Sequence, residues 1–188
     1  AVNAKATVLS GGDLGRPSVA GEQTAGEYFV VWSQTATDNP ARDVFGRKLN
    51  SNAWPIGPVR QVVSGAADQT YPSIASLTNE GGYLVAWEER TAGQPPDIRL
   101  RRLNRNGIAY GTAYDLAGGA AFSFAPDLAS TGIYSTLVVW LDRNAASDHS
   151  ILATEVNRDG RRVGPERMIV QGGTGPSAVT PVIPPVPG

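Results

Sequence analysis

Three near-copies of one short motif recur along this chain at an almost constant interval, and that periodicity restricts the fold more than any other feature. The segments Tyr28 to Trp32 (YFVVW), Tyr83 to Trp87 (YLVAW) and Ser135 to Trp140 (STLVVW) place Trp32, Trp87 and Trp140 at intervals of 55 and 53 residues. A proline and a short apolar pair precede each: Pro17-Ser18-Val19-Ala20, Pro72-Ser73-Ile74-Ala75 and Pro126-Asp127-Leu128-Ala129, with a fourth echo at Pro176-Ser177-Ala178-Val179. Downstream lie DVFGRKLN, DIRLRRLN and SILATEVN, whose terminal asparagines Asn50, Asn104 and Asn157 are 54 and 53 apart. Each repeat then closes with an apolar segment running into glycine, at Gly65, Gly118 and Gly172, and Val8-Leu9-Ser10-Gly11 matches that closing segment.

Four short segments per repeat, rich in Val, Ile, Leu and aromatics and separated by turn residues, predict four β-strands per unit. The second strand is a nearly continuous apolar run, as suits a strand covered on both faces. The third hands over to Asn50-Ser51-Asn52, Asn104-Arg105-Asn106-Gly107 and Asn157-Arg158-Asp159-Gly160, where Asn, Asp and Gly tolerate the positive φ of tight hairpin turns. No stretch is left for a helix. The expected class is all-β, with three propeller-blade-like four-stranded repeats and an incomplete unit at each end; a continuous sandwich of the same strands is the rival. The units run over about residues 12–65, 66–119 and 120–173, residues 4–11 form a stray fourth strand, and 174–188 form a Pro-rich C-terminal arm. Propellers close with about four to eight blades, so three units do not easily close alone.

The order VVW, polar loop, D-[VI]-x-x-R-x-L-N, turn, apolar strand and P-S-[VI]-A resembles the repeats of about 50 residues abundant in large secreted and surface proteins of environmental bacteria. The resemblance covers residues 4 to 180 and implies propeller-like blades in extracellular arrays, with no catalytic residues. The third unit departs from the pattern, carrying Ser150 where the others have Asp43 and Asp97.

Composition narrows the chemistry further. A net charge of -1, from 16 Lys+Arg against 17 Asp+Glu, gives no basic field for a nucleic acid, and no apolar run is long enough to span a bilayer. With no cysteine, thiolate, disulfide and Cys-zinc chemistry are excluded. The chain begins at Ala1 without a leader, as expected of a mature secreted form and equally of a chain trimmed from a longer one. No cofactor and no metal are expected. His149 is the single histidine and reads as an exposed loop residue, so two-imidazole metal sites are excluded and a Ser-His-Asp triad would depend on it alone. Glu88 and Glu89 are adjacent, point to opposite faces of a strand, and read as solvated loop charges rather than as a glycosidase pair. Asp142, Asn144 and Asp148 in one loop, and Asp38 and Asn39 with Asp43, offer oxygen ligands but lack EF-hand spacing, so turn capping is the default.

Trp32, Trp87 and Trp140 recur at one repeat position and are expected in the core. Trp54 is expected to pack against Pro55 and Pro58, and the alternative is that Trp54, with Tyr110 in the equivalent turn, is a platform on which a sugar face or a partner chain stacks. The Pro-rich tail reads either as a plain linker to a further domain or as a docking arm, the latter because Val182, Ile183 and Val186 are apolar for a segment that is only solvated. The leading expectation is a non-enzymatic extracellular structural protein, self-associating head to tail as a filament or surface-layer subunit. Its terminal strands Ala6, Thr7, Val8, Leu9, Pro176 and Val179 and the tail anchors would make the contact. The alternative is a glycan-binding, lectin-like propeller module whose partners are surface glycans. A hydrolase on the same scaffold is a third reading.

Overall fold

The computed structural model describes residues 13–22, 26–37, 40–77, 81–130, 135–144 and 148–172. Twelve strands and no helix occupy them. The first sheet contains β1 (Ser18–Glu22), β2 (Glu27–Thr35), β3 (Arg42–Leu49) and β4 (Pro55–Val63). The second contains β5 (Asp68–Ser76), β6 (Tyr83–Arg90), β7 (Asp97–Leu103) and β8 (Ala109–Ala117). The third contains β9 (Phe122–Ser130), β10 (Ser135–Arg143), β11 (His149–Asn157) and β12 (Arg167–Gln171). Each is an antiparallel meander in sequence order, and the first strands β1, β5 and β9 lie beside one another. These are blades set side by side with their first strands innermost, which is the propeller arrangement the repeat implies. The single-sandwich rival does not survive three separate sheets.

Each blade has a front, packed on the next blade, and a rear, packed on the one before. Alternation along the strands sorts the side chains. Phe29, Val31, Val44 and Val62 of the first blade meet Ile74, Tyr83, Val85, Trp87 and Leu103 of the second. Leu84, Ala86, Ile98, Leu100 and Leu116 of the second meet Val138, Trp140, Leu152 and Val156 of the third. All three repeat tryptophans are buried on rear faces. β6 is covered on both faces, as expected, but β10 is not: its front-facing Leu137 is exposed because no described blade follows.

The turn between third and fourth strands is built identically three times. Asn50 Oδ1 accepts the backbone N–H groups of Asn52 and Trp54, Asn104 those of Asn106 and Ile108, and Asn157 those of Asp159 and Arg161, at 2.9 to 3.0 Å. The fourth turn residue adopts positive φ, at Ala53, Gly107 and Gly160. The repeat aspartate also acquires a role. Asp43 and Asp97 accept the backbone N–H of Gly65 and Gly119 and so close the end of the fourth strand. Gly119, not Gly118, is therefore the counterpart of Gly65. With Ser150 in the third unit, the Gly172 N–H goes to the His149 carbonyl at 2.7 Å instead.

One buried polar group stands out in the joint between the first two blades. Tyr83 is fully buried 5.3 Å from the Phe29 ring, and its hydroxyl has no hydrogen-bond partner among the described residues. Burial first, then the charges of Glu22 and Glu27, push its phenol up to about 12 from 10.0. An acid whose folded-state value is raised holds its proton more tightly when folded, so its contribution is intact below the unfolded value and is lost as pH rises through the folded one. Tyr83→Phe should keep or raise stability at neutral pH by up to about 1 kcal/mol. It should also remove the Tyr83 share of the loss of stability between pH 10 and about 12. Urea melts across that range check both.

Candidate functional site

In each meander the first strand starts, the second ends and the third starts at one rim. Here Asp68 opens β5, Arg90 ends β6, Phe122 opens β9 and Arg143 ends β10, and the two arginines share one repeat position, three residues after Trp87 and Trp140, where the first unit has Thr35. Cross-strand pairing sets Asp68 opposite Arg90, and Phe122 opposite Arg143. Together with Phe124, Gln94 and Pro40 they line an open groove of about 710 Å³ that spans all three blades. The Arg143 guanidinium lies 4.3 Å over the Phe122 ring, a cation–π contact that fixes both. His149, exposed at the start of β11, meets Phe124 edge-on at 6.3 Å.

Glu88 anchors this rim from below. It sits on the front of β6, fully buried, and its carboxylate pairs with Arg90 and accepts the backbone N–H of Ala125 at 3.3 Å. Burial outweighs both partners and raises its pKa above the ordinary glutamate value. Ala125 has positive φ ahead of Pro126, as Tyr71 has ahead of Pro72, and both mark bulges in the innermost strands. A residue before proline is disfavoured in α conformations, so the buried carboxylate holds a strained bulge in place. Because Thr70 lies opposite Glu88, and Asp68 opposite Arg90, all four side chains share one sheet face. Asp68 and Glu88 are thus diagonal cross-strand neighbours, a relation that separates residues by about 7–8 Å.

The reading of Glu88 and Glu89 as solvated loop charges is corrected. Both belong to β6; Glu89 lies on the rear, accepting from the Trp87 indole at 3.1 Å and pairing with Arg99 at 2.7 Å. The pair does point to opposite faces, but each charge is buried or half-buried against its own partners.

Trp54 and Tyr110 are exposed at the opposite rim and take no part in the groove. Tyr110 lies in β8 rather than in a turn, with the Arg102 guanidinium 5.0 Å from its ring. Asn144 and Asp148 bond each other at 3.0 and 3.3 Å as a turn cap. Among the described residues no three acidic or imidazole side chains converge on a metal position. Ala6, Thr7, Val8, Leu9, Pro176, Val179, Val182, Ile183 and Val186 lie outside the described residues, as do Asp38 and Asn39.

The fold and this rim define a three-bladed segment of β-propeller architecture. No family model matches the chain, and no curated protein matches it. Solved structures do. An endo-arabinase from Bacteroides thetaiotaomicron aligns with a TM-score of 0.57 at 15% identity, over 88% of this chain and 63% of that one. A Hadza microbial sialidase aligns with a TM-score of 0.57 at 11% identity, over 85% of this chain and 39% of that one. The chain therefore spans less than two thirds of either. At these identities the likeness shows a shared fold. The expectation of a non-enzymatic protein is corrected by this finding, since the structures that the fold matches, an endo-arabinase and a sialidase, are enzymes.

Proposed function

We propose that this chain is a carbohydrate-directed β-propeller module and that a sugar chain lies in the groove across its three blades. The groove itself carries the reading: the Phe122 and Phe124 rings stand beside Arg90, Arg143, Asp68 and Gln94 at one rim. Aromatic faces stack against the apolar face of a sugar, and charged or amide groups around them bond its hydroxyls. The likeness of the fold to an endo-arabinase and a sialidase supports this choice of ligand class. The repeat resemblance supports a secreted or cell-surface setting.

A hydrolytic second reading is favoured by the Asp68–Glu88 relation. A glycosidase needs one carboxylic acid and one carboxylate roughly 5 to 10 Å apart. Glu88, raised by burial, has the character of the acid; Asp68, which lines the groove while its Oδ1 accepts the Arg42 backbone N–H of the first blade at 2.8 Å, would have to serve as the second carboxylate. Glu88 donates only if Arg90 swings aside, since the guanidinium caps it from the groove side.

A glycan array, followed by calorimetry on its best oligosaccharide, tests the first reading. Phe124→Ala should weaken binding about fivefold, the loss of a stacking contact worth ~1 kcal/mol, while Trp54→Ala on the far rim leaves it unchanged. No signal on the array, or equal losses at Phe124 and Trp54, refutes the assignment of this groove. Reducing-end release from the bound oligosaccharide tests the second reading. Glu88→Gln keeps the acceptor for Ala125, so a hydrolytic role predicts a folded protein that binds as before with release abolished.

A further inference from the structure

Resting on the carbohydrate reading of the groove, we propose that it selects a sugar chain bearing an anionic residue, a uronic carboxylate or a sulfate ester, and that Arg143 is the side chain that holds the anion.

The two rim arginines occupy one repeat position, but their surroundings differ. Arg90 pairs with Glu88, which stands two residues before it on the same face of β6, and Asp68 lies opposite on β5. Around Arg143 both carboxylates are replaced: Leu141 stands two residues before it, and Phe122 lies opposite on β9. On the other side β11 sets His149 against it, an imidazole, which brings no negative charge. The nearest acids in the chain are engaged elsewhere, Asp142 by the Ser123 hydroxyl at 2.9 Å and Asp148 by the Asn144 amide at 3.3 Å. Among the described residues Arg143 therefore has no carboxylate partner. The repeat places an arginine on the groove twice and neutralises it once.

Position makes this charge available to a ligand. Arg143 is half-buried and lines the groove. Phe122 covers the flat face of its guanidinium at 4.3 Å, which holds the plane in place and keeps water from that face, while the N–H donors at the edge keep their fixed fork. Such a fork grips a carboxylate or a sulfate through two parallel charge-assisted hydrogen bonds, a contact that a neutral hydroxyl cannot match. Toward the first blade the groove has the other character. There Asp68 Oδ1 accepts the Arg42 backbone N–H at 2.8 Å, and Arg90 is already paired with Glu88. The groove therefore discriminates along its length: sugar hydroxyls bond to Asp68, and one anion bonds to Arg143 beside the stacking rings of Phe122 and Phe124. A second anion near Asp68 would be repelled, so a chain charged at intervals fits better than one charged at every residue.

Calorimetry of the full chain against matched oligosaccharides tests this: glucuronoxylan fragments with their carboxyl-reduced forms, and carrageenan fragments with their desulfated forms. At least one acidic member should bind about tenfold or more tighter than its neutral counterpart, as a charge-assisted hydrogen bond provides. Which pair shows the preference separates carboxylate from sulfate. The preference should shrink as sodium chloride rises from about 50 to about 500 mM. Arg143→Gln should bring the acidic and neutral members to nearly equal affinity. Leu141→Glu should do the same with Arg143 still in place, by giving it the carboxylate that Glu88 gives Arg90, and it stands in if Arg143→Gln does not fold. Equal binding of acidic and neutral members by the unaltered chain overturns the inference and leaves the carbohydrate reading standing. Binding to no member of either pair, with no signal on the glycan array, removes both. A preference that survives in folded Arg143→Gln or Leu141→Glu protein overturns the assignment to Arg143.

Discussion

Gly107→Ala is expected to destabilise the fold by about 3 kcal/mol or more, combining left-handed strain with overpacking. Gly111→Ala should cost only the strain, about 1–2 kcal/mol. The two glycines have nearly the same φ, 72° and 71°, so the cost of placing an L residue there is the same. They differ in what surrounds them. A Cβ at Gly111 meets nothing within 4 Å, whereas one at Gly107 would enter the ring of Phe29. That ring cannot retreat, because Gly46 lies against it within its own sheet and Tyr83 packs at 5.3 Å from the next. Side chains in a close-packed joint have no free volume to absorb a methyl, so blades and ring must shift together. Equal midpoints for the two variants in urea would mean that Phe29 is not seated in this joint.

Trp87→Ala is expected to cost roughly 3–5 kcal/mol, the usual range for removing a fully buried indole. Trp140→Ala, at the equivalent position and equally buried, should cost less by about 1–3 kcal/mol, because it also removes an unpaired buried donor. Gln34 and Glu89, two residues after the first two tryptophans, accept their indole N–H groups at 3.2 and 3.1 Å. The third blade has Asp142 there, one methylene shorter, and its carboxylate is taken by the Ser123 hydroxyl at 2.9 Å. The Trp140 Nε1 is left with no partner among the described residues. Denaturant unfolding of both variants measures the difference directly. Trp140→Ala proving as costly as Trp87→Ala would imply a partner for the indole that this arrangement lacks.

What the sequence made legible follows from which contacts are local. The tryptophan interval, the Asn-Gly turns and the Pro-led first strands report strand and turn chemistry within one blade, and those gave the all-β class and four strands per unit. The groove was missed because it is built from tips of different blades. Asp68, Arg90, Phe122 and Arg143 fall as far as 75 residues apart in the chain and meet only once the sheets stand side by side. Glu88 was misread for the same reason, since the backbone of Ala125 that holds it belongs to the next blade. A signal was nevertheless present. The residue after each repeat tryptophan is Ser33, Glu88 and Leu141, so a charge stands once at a position otherwise small or apolar.

The Asn-capped turns bear on how the chain finds its structure. Asn50, Asn104 and Asn157 each bond backbone within four residues of themselves, so all three outer hairpins can form without reference to any other part of the chain. Hairpins of this kind close in about 1–10 μs. Front-to-rear joints such as Phe29 on Tyr83 instead wait for two finished sheets to meet. Folding should therefore divide into a fast phase common to all three units and a slower docking phase sensitive only to the joints. In that scheme Asn104→Ala slows the first phase, and Gly107→Ala acts on the second.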